Sequence, residues 1–318
     1  MEISVIIPVY NKEAYVERCF RQLMAQAFDS FEVIAVDDGS TDRSGEICDM
    51  MAQQDSRIRV IHTPNGGVTA ARRIGLEASR GRYIMFVDSD DELLPGAMSV
   101  MHKTIEQTGA DEVIATYYDQ YGRLYDTGRR GWADEAGIVR DLLACRLGVC
   151  VLWGIIFRRQ LLDGCMDTPR EIRSGEDIMM QIKCLMKRPK VYFIDTPIYL
   201  YNMGLPNDRQ LSLHIERLYD EVLRQSLQPR WEEFSDYFTL HQLKVYENFV
   251  DARQWNARRD YYDEIRPRIK SQHPLADRIA FYLPPRLSYL VVHTYKRLRV
   301  FILRARIVCK MMQHFFIL

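Results

Sequence analysis

Four acidic side chains crowd into five residues directly after an apolar run. The run is Tyr83 to Val87, and the acids that follow it are Asp88, Asp90, Asp91 and Glu92. Carboxylates this close repel one another, and each loses solvation when it is partly buried. A divalent cation, a basic partner or surrounding water would each offset that cost. The spacing Asp88-x-Asp90 suits Mg²⁺ or Mn²⁺, because these ions often use one or two carboxylates together with substrate phosphates.

The elements that position these acids alternate between strand and helix over the first 120 residues. Short β-branched runs predict strands, and stretches with a helical period lie between them. This alternation predicts βαβ units, a mostly parallel sheet and helices on both of its faces. The predicted strands are Ile3–Val9, Glu32–Val36, Ile58–His62, Tyr83–Val87 and Glu112–Tyr118, and the predicted helices are Glu13–Ala27, Ser44–Gln53, Val68–Ala78 and Ala97–Gln107.

Polar residues follow four of these strands. Ligands of parallel sheets bind beyond the carboxyl ends of the strands, so this edge is where a site is expected. An isolated Asp-x-Asp is usually a solvated turn, but its location at this edge favours a metal. The sequence contains neither G-x-G-x-x-G nor G-x-x-x-x-G-K-[ST], so a bound phosphate would be held through that metal. The polar segments are Tyr10-Asn11, Asp37 to Ser40, Asn65 to Gly67 and Asp88 to Asp91.

Composition and cysteine spacing are typical of a folded protein without a disulfide framework. The 318 residues are 47% hydrophobic and 27% charged, as expected for one large or two smaller folded domains. Seven cysteines without C-x-x-C spacing predict reduced, mostly buried thiols rather than a disulfide framework or a zinc site. No basic segment precedes the apolar run Ile3–Val9, and no run is long enough to span a membrane, so we expect a cytoplasmic protein.

The regular alternation of strand and helix patterns becomes less clear after about Gly122. An apolar run follows at Val151 to Phe157, and Val191 to Ile194 predicts a further strand. The segment "SGEDIMMQIKCLMK" predicts a helix start, with Ser174 and Asp177 in capping-box spacing. From Ile215 onward the pattern is helical.

Four segments, in this order, resemble glycosyltransferase family 2. They are "ISVIIPVYNKEAYV", "VIAVDDGSTDRS", "NGGVTAARRIGLEASRGRYIMFVDSDDELLPGAM" and "SGEDIMM". The resemblance extends over about Ile3 to Tyr201 and implies an inverting enzyme with the GT-A type of Rossmann-like α/β fold. It implies a catalytic domain over residues 1–213, with a nucleotide-sugar half at about 1–120 and an acceptor half at about 121–213. Residues 214–318 would be a helical C-terminal region.

The resemblance also assigns roles in donor binding. Pro8 and Tyr10 would flank the nucleotide base, and Asp38 would accept a hydrogen bond from a uracil N–H. Asp88 would lie near the ribose, and Asp90 would bind the Mn²⁺ or Mg²⁺ ion. Read without the family, the segment around Asp38 is a turn followed by a helix N-cap.

The resemblance gives the role of catalytic base to Asp177. An acceptor hydroxyl is a weak nucleophile, so a positioned carboxylate must take its proton. Attack opposite the leaving nucleoside diphosphate would invert the anomeric centre. Without the family, Glu176 and Asp177 are acids favoured at a helix N-terminus.

Other positions leave alternatives open or depart from the family. Arg72 either neutralises the diphosphate or is a solvated helix charge, and Trp153 either stacks on a sugar or fills the core. Arg73 stands where the family usually has Asn, and Ile155 stands where it commonly has Lys. No Gln-x-x-Arg-Trp segment follows Asp177, which favours the addition of a single sugar.

The C-terminal tail, residues 284–318, carries seven basic residues and no acids, while the rest of the chain carries 36 basic and 43 acidic residues. Its apolar residues recur at steps of three and four from Val291 to Phe316. Such a helix either lies on an anionic membrane or docks or dimerises through its apolar face. The basic residues on its other side are Lys296, Arg297, Arg299, Arg304, Arg306 and Lys310.

The sequence therefore predicts a metal-dependent, non-processive, inverting glycosyltransferase. Its donor would be a UDP-linked nucleotide sugar that carries a hexosyl or N-acetylhexosaminyl group. Its acceptor would be a saccharide or lipid-linked saccharide in cell-surface glycan synthesis, on the inner face of the cytoplasmic membrane. We expect no nucleic-acid partner, and the oligomeric state stays open. The alternatives are a catalytically inactive GT-A scaffold and a sugar nucleotidyltransferase, which would need a Gly-rich basic loop where "VYNKEAY" stands.

Overall fold

The structure is a computed structural model that describes residues 1–146, 151–202, 211–284 and 286–294. The chain divides into two compact units. The first comprises Met1–Arg209 and Glu221–Phe234, and the second comprises Gln210–Asp220 and Ser235–Leu318. The region expected to be catalytic, residues 1–213, thus overlaps the first unit.

A ten-stranded sheet forms the centre of the first unit, in the order β3-β2-β1-β4-β9-β6-β10-β5, with β7 beside β6 and β8 beside β10. The strands are β1 (Ile3–Val9), β2 (Phe31–Asp37), β3 (Ile58–His62), β4 (Tyr83–Phe86), β5 (Glu92–Leu93), β6 (Glu112–Asp119), β7 (Leu124–Tyr125), β8 (Gly131–Ala133), β9 (Ile155–Arg158) and β10 (Val191–Tyr201). Strands β1 to β4 pair in parallel, and so do β6 and β10.

The sheet differs from the expected mostly parallel one at β9. This strand runs antiparallel to both β4 and β6 and separates the two parallel parts of the sheet. The sequence between β6 and β9 is not a single strand-helix-strand crossover, because β7, β8 and one helix all lie within it. Because β9 is also antiparallel to β6, the handedness rule for parallel crossovers does not apply to this connection.

Six α-helices among the described residues lie wholly in the first unit, and four of them, α1 to α4, pack on strands of the sheet. Helix α1 contacts β5, α2 contacts β2 and β3, α3 contacts β1 and β2, and α4 contacts β6, β9 and β10. The approach of α3 is close at Gly75, where an added Cβ would lie 2.4 Å from Cγ2 of Ile6. The helices are α1 (Val16–Met24), α2 (Ser44–Gln54), α3 (Val68–Ala78), α4 (Ala97–Thr108), α5 (Glu135–Leu143) and α6 (Glu176–Leu185).

The start of α6 corrects one expectation. The N-cap is Gly175, in the left-handed conformation at φ 84°, and it makes no side-chain cap bond. The predicted capping box of Ser174 and Asp177 is therefore wrong. Glycine adopts this conformation at little cost, so the turn before α6 is made by the backbone.

Buried thiols account for most of the cysteines that the structure describes. No disulfide joins these residues. Cys145 is exposed, and Cys19, Cys48, Cys165 and Cys184 are buried.

The second unit is helical, as the sequence predicts from Ile215 onward. Its core includes Tyr246, Phe249, Tyr261 and Phe281, and it also takes in Val292 from the helical residues 286–294. The further α-helices whose bounds the described residues define are α7 (Leu213–Leu227), α8 (Trp231–Asp251), α9 (Trp255–Ile265) and α10 (Leu275–Tyr282).

The proposed amphipathic tail lies largely outside the described residues, since residues 295–318 are not described. Within the ranges given above, none of the helices has the length and apolar character of a membrane span.

Candidate active site

A cavity of about 840 Å³ lies at the carboxyl ends of the parallel strands of the first unit. Its wall includes Pro8 and Tyr10 after β1, Asp38 after β2, and residues 65–73 at the start of α3. Residues 88–90 after β4 complete the wall together with a later segment that ends at Glu176. This is the sheet edge at which the sequence predicts a site.

Each of the four clustered acids has a partner of its own. The cluster is therefore neither a solvated loop nor an uncompensated group of charges, since a cation or a hydrogen-bond donor faces every carboxylate. The pairs are Asp88 with Arg72 at 3.0 Å, Asp90 with Lys12 at 2.6 Å, Asp91 with the hydroxyl of Tyr199 at 3.0 Å, and Glu92 with Arg18 at 3.2 Å.

Arg72 joins two of the predicted functional residues. It is buried on α3, and its Nη1 donates to Oδ1 of Asp177 at 2.7 Å while its Nη2 donates to Oδ1 of Asp88 at 3.0 Å. Glu176 lies 3.5 Å from Nη1. Arg72 is therefore not a solvated helix charge. Its guanidinium fork holds the proposed base beside the Asp88-x-Asp90 loop.

Partial burial shifts the pKa of both carboxylates on this fork, whose side chains are 27% exposed at Asp88 and 19% exposed at Asp177. It raises the pKa of Asp177 to about 7, with Arg72 opposing the rise and the charge of Glu176 adding to it. Burial also raises the pKa of Asp88, again opposed by Arg72. A carboxyl group with a pKa near 7 can both accept and release a proton at neutral pH, which suits a general base.

Asp38 lines the cavity, and its carboxylate already accepts two hydrogen bonds from the backbone. The carboxylate is buried and accepts from the backbone N–H of Gly66 at 2.7 Å and of Gly67 at 2.8 Å. Each carboxylate oxygen has a second lone pair, so a further donor can still bind. The preceding Asp37 instead accepts from His62 at 2.9 Å, and it is not among the residues that line the cavity.

Pro8 and Tyr10 lie on the same wall as Asp38. Tyr10 is 46% exposed, so much of its ring is open to a ligand. An exposed ring near an acceptor-only carboxylate is a suitable surface for a planar base.

Sequence analysis missed the clamp that β10 makes on the acidic loop. The Tyr199 hydroxyl donates to Asp91 and accepts from the backbone N–H of Asp88 at 3.0 Å. Asn202 donates its backbone N–H to Asp91 at 2.8 Å and its side-chain amide to the carbonyl of Asp90 at 2.5 Å. Burial, together with the charge of Asp88, raises the pKa of Asp91 to about 8. Asp91 therefore holds the loop in place rather than lining the cavity.

Trp153 fills the core behind this clamp. It is buried, and its ring stacks on Tyr199 at 4.6 Å and on Tyr201 at 4.9 Å between centroids. Of the two roles left open by the sequence, the structure supports the packing role. Ile155, in place of the family's Lys, is buried in β9.

The donor set at Asp90 fits a divalent cation. The ammonium group of Lys12 lies 2.6 Å from Oδ2 of Asp90, so this carboxylate already accommodates a cation at the cavity wall. Asp88 contributes a second carboxylate two residues away, and hard oxygen ligands of this kind suit Mg²⁺ and Mn²⁺.

Three exposed arginines also line the cavity, and we call them the arginine rim. They are Arg73, Arg170 and Arg173. Arg170 donates to the side-chain oxygen of Asn65 at 2.7 Å, which fixes it close to the turn at Gly67.

Comparison with known proteins places this site in a family. The family model described as "Glycosyl transferase family 2" matches residues 4–165, about half of the chain. The chain belongs to glycosyltransferase family 2. The match contains Asp38, Arg72, Asp88 and Asp90, and Asp177 lies just beyond it.

Curated relatives agree with this family. The chain is 30% identical to the uncharacterized glycosyltransferase EpsJ of Bacillus subtilis over 236 residues, which cover 68% of this chain and 67% of EpsJ. It is 42% identical to the glycosyltransferase GlyG of Streptococcus pneumoniae over 142 residues, which cover 43% of this chain and 47% of GlyG. The family 2 chain described here is therefore a glycosyltransferase, although it spans less than half of GlyG.

Solved structures agree on the fold. S. aureus TarS 1–349 in complex with UDP-GlcNAc superposes with a TM-score of 0.64 at 19% identity, over 93% of this chain and 92% of that one. The same fragment in complex with UDP gives a TM-score of 0.62 at 20% identity. At this identity the likeness concerns the fold alone, and it confirms the expected GT-A type of α/β architecture with a helical C-terminal part.

Proposed function

We propose that this family 2 enzyme transfers a single hexosyl or N-acetylhexosaminyl group from a UDP-sugar, with inversion, to a saccharide or lipid-linked saccharide in cell-surface glycan synthesis. One observation carries the proposal. Arg72 joins Asp177, a partly buried carboxyl group with a pKa of about 7, to Asp88, which lines a cavity whose wall also contains Asp38 and Glu176. The TarS complex with UDP-GlcNAc, a structure of the same fold, supports a UDP-sugar as donor.

In this mechanism Asp177 takes the proton of the acceptor hydroxyl as the oxygen attacks the anomeric carbon. Arg72 orients the carboxylate and keeps part of it ionised near neutral pH. Asp38 and Tyr10 hold and orient the base of the donor, and Asp88 lies close to its sugar side. A divalent ion held by Asp90 would supply stabilisation of the charge that develops on the leaving diphosphate.

A donor screen tests the activity. The full chain is incubated with UDP-, GDP- and dTDP-sugars in Mn²⁺ or Mg²⁺, and release of the nucleoside diphosphate is measured. We expect hydrolysis of a UDP-sugar above all others, and loss of that hydrolysis in EDTA. Binding of UDP without turnover of any donor would favour the inactive scaffold. Release of pyrophosphate from a nucleoside triphosphate and a sugar phosphate would favour the nucleotidyltransferase.

The exposed face of the helical residues 286–294 supports a peripheral membrane location on the cytoplasmic side. Ser288 and Val292 are buried, whereas Leu287 and Leu290 are 51% and 60% exposed and Val291 is 38% exposed. The sequence beyond them, residues 295–318, carries six basic residues and no acids. An apolar face followed by basic residues suits an anionic lipid surface, where each basic residue adds about 1 kcal/mol of attraction.

Co-sedimentation with vesicles tests the membrane location. We expect the full chain to sediment with phosphatidylglycerol vesicles, less so at high salt, and hardly at all with phosphatidylcholine vesicles. The double variant Leu287→Asp/Leu290→Asp should lose binding, while Leu124→Asp, at an exposed leucine of the first unit, should keep it. Equal binding to both lipids, or to neither, would contradict an anionic membrane partner.

A further inference from the structure

Lys12 occupies the place where a metal would approach Asp90. Its ammonium group lies 2.6 Å from Oδ2 of Asp90, and the two side chains are only 27% and 17% exposed. An ion pair at this depth is less screened than one on the surface, so it is not a negligible contact. An incoming cation must therefore compete with Lys12 for the same carboxylate.

The backbone of Lys12 is fixed, so only its side chain can move. Its N–H donates to Oγ of Ser44 at 2.7 Å. Its carbonyl accepts from the N–H groups of Tyr15 and Val16 at 2.9 and 3.0 Å, at the start of α1. A lysine side chain with a fixed backbone and four flexible methylenes can change partner without any change of the fold.

The ion pair is not needed to hold the acidic loop. The carbonyl of Asp90 accepts hydrogen bonds from the side chains of Asn202 and Arg18, at 2.5 and 3.4 Å. Asp91 is fixed by Tyr199 in turn. The contact between Lys12 and Asp90 is thus free to serve binding rather than stability.

Lys12 also lines the cavity in which the donor is proposed to bind. An ammonium group has three donors and no acceptor, and a diphosphate is a suitable new partner for it. Once a divalent ion takes Asp90, the displaced Lys12 and the diphosphate would form a charge-assisted contact. The two binding events would then favour each other.

We propose that Lys12 couples metal binding to donor binding: it holds Asp90 while the cavity is empty, and it moves to the donor diphosphate when a divalent ion takes its place. This inference rests on the proposed nucleotide-sugar function for its second half, but its first half concerns the metal alone. Linkage requires the coupling to be reciprocal, so UDP should tighten Mn²⁺ binding by the factor by which Mn²⁺ tightens UDP binding.

The experiment measures Mn²⁺ affinity by electron paramagnetic resonance, with and without UDP, in the full chain and in Lys12→Met. Without UDP, the variant should bind Mn²⁺ about tenfold more tightly than the wild type, because no ammonium competes, and tenfold lies within the usual range of coupling. With saturating Mn²⁺, the variant should bind UDP about tenfold more weakly. The coupling factor between the two ligands should fall accordingly.

Two further variants make the result specific. Arg73→Met removes another positive charge from the cavity wall, and it should change the Mn²⁺ affinity by no more than about twofold, since surface charges act weakly through solvent. Lys12→Gln keeps a polar side chain and should behave like Lys12→Met, which guards against a local packing defect in one of them.

Unchanged or weaker Mn²⁺ binding in both Lys12 variants would overturn the proposal, and so would the absence of Mn²⁺ binding in every protein tested. A wild type that binds Mn²⁺ but not UDP would instead refute the proposed function. In that case the comparison of Mn²⁺ affinities without nucleotide would still decide whether Lys12 competes at Asp90.

Discussion

Carboxyl groups largely shielded from solvent occur in both units of the molecule, but their surroundings differ. In the first unit, Asp88 and Asp177 share the guanidinium of Arg72 beside a cavity. In the second unit, Asp220 of α7 accepts from the hydroxyl of Tyr261 at 2.7 Å and from the side-chain amide of Gln242 at 2.6 Å.

Burial raises the pKa of both kinds of group, to about 7 for Asp177 and to about 6 for Asp220. A raised pKa is therefore not enough to mark a catalytic group in this protein. The partners of the two groups differ in kind. Asp220 joins α7, α8 and α9 through neutral donors, whereas Asp177 shares the cation Arg72 with Asp88, which lines the cavity. These surroundings distinguish a structural carboxylate from the proposed base, and four substitutions test the distinction.

The largest effect is expected for Asp177→Asn. The amide keeps the shape of the side chain but cannot take a proton, so the transfer rate should fall by about 10²-fold or more while UDP affinity changes little. Single-turnover transfer and UDP titration measure the two quantities. Glu176→Gln is the control, and we expect it to retain most of the rate. Near-normal turnover in Asp177→Asn would move the role of base to Glu176.

The second test uses the pH dependence of transfer. Asp177 acts in its ionised form, so the wild-type rate should be lost as the pH falls through about 7. Arg72→Gln removes the cation that lowers this pKa, and the fall in rate should move up by about 1 to 3 pH units. Arg73→Gln should leave the profile in place. A profile that is the same in wild type and Arg72→Gln would show that Arg72 does not act on the base.

A smaller effect is expected for Tyr199→Phe. The change removes the hydroxyl that joins Asp91 to the backbone of Asp88, so the free energy of unfolding should fall by about 1 to 3 kcal/mol. Mn²⁺-dependent UDP affinity should fall by several-fold, because the loop loses its fixed position. Tyr192→Phe, on the same strand, is the control. A stable variant with unchanged affinity would mean that the clamp does not position the loop.

The smallest effect on activity is expected for Asp220→Asn, which should leave transfer unchanged. Its effect is on stability. The folded pKa of Asp220, about 6, lies above the ordinary value of 3.8, so the stabilising neutral form is present below pH 3.8 and is lost as the pH rises through about 6. The wild type should therefore lose on the order of 2 kcal/mol relative to the variant across this window. Denaturant unfolding at pH 4 and pH 7 measures it, and a constant difference would contradict the assignment.

Much of the first unit follows from local patterns in the sequence. The expected bounds of β1, β3 and α3 agree with the structure to the residue. These elements show clear periodicity between turn-forming residues, and parallel strands bring their carboxyl ends to one edge. The cavity wall at Asp38 and Asp88-x-Asp90 could therefore be predicted from the sequence.

The remaining features depend on contacts between distant segments. Lys12 is 78 residues from Asp90, and Tyr199 is 108 residues from Asp91, and no local pattern relates either pair. The antiparallel course of β9 depends likewise on pairing with β4 and β6. The aromatic residues Tyr199 and Tyr201, on one face of a strand, are the only local signal of a packed site behind the loop, and they do not indicate what they hold.

The arginine rim has a kinetic consequence. A nucleotide that diffuses toward the cavity meets the charges of Arg73, Arg170 and Arg173, which are exposed, before it meets the acids at the wall. The acids at the wall are paired with cations, Asp88 with Arg72 and Asp90 with Lys12, which offsets much of their repulsion of an anion. The exposed cations attract the anion over about a Debye length, roughly 8 Å at physiological ionic strength. Capture of the donor should therefore be faster in dilute salt than in concentrated salt, even though the chain as a whole has no net charge.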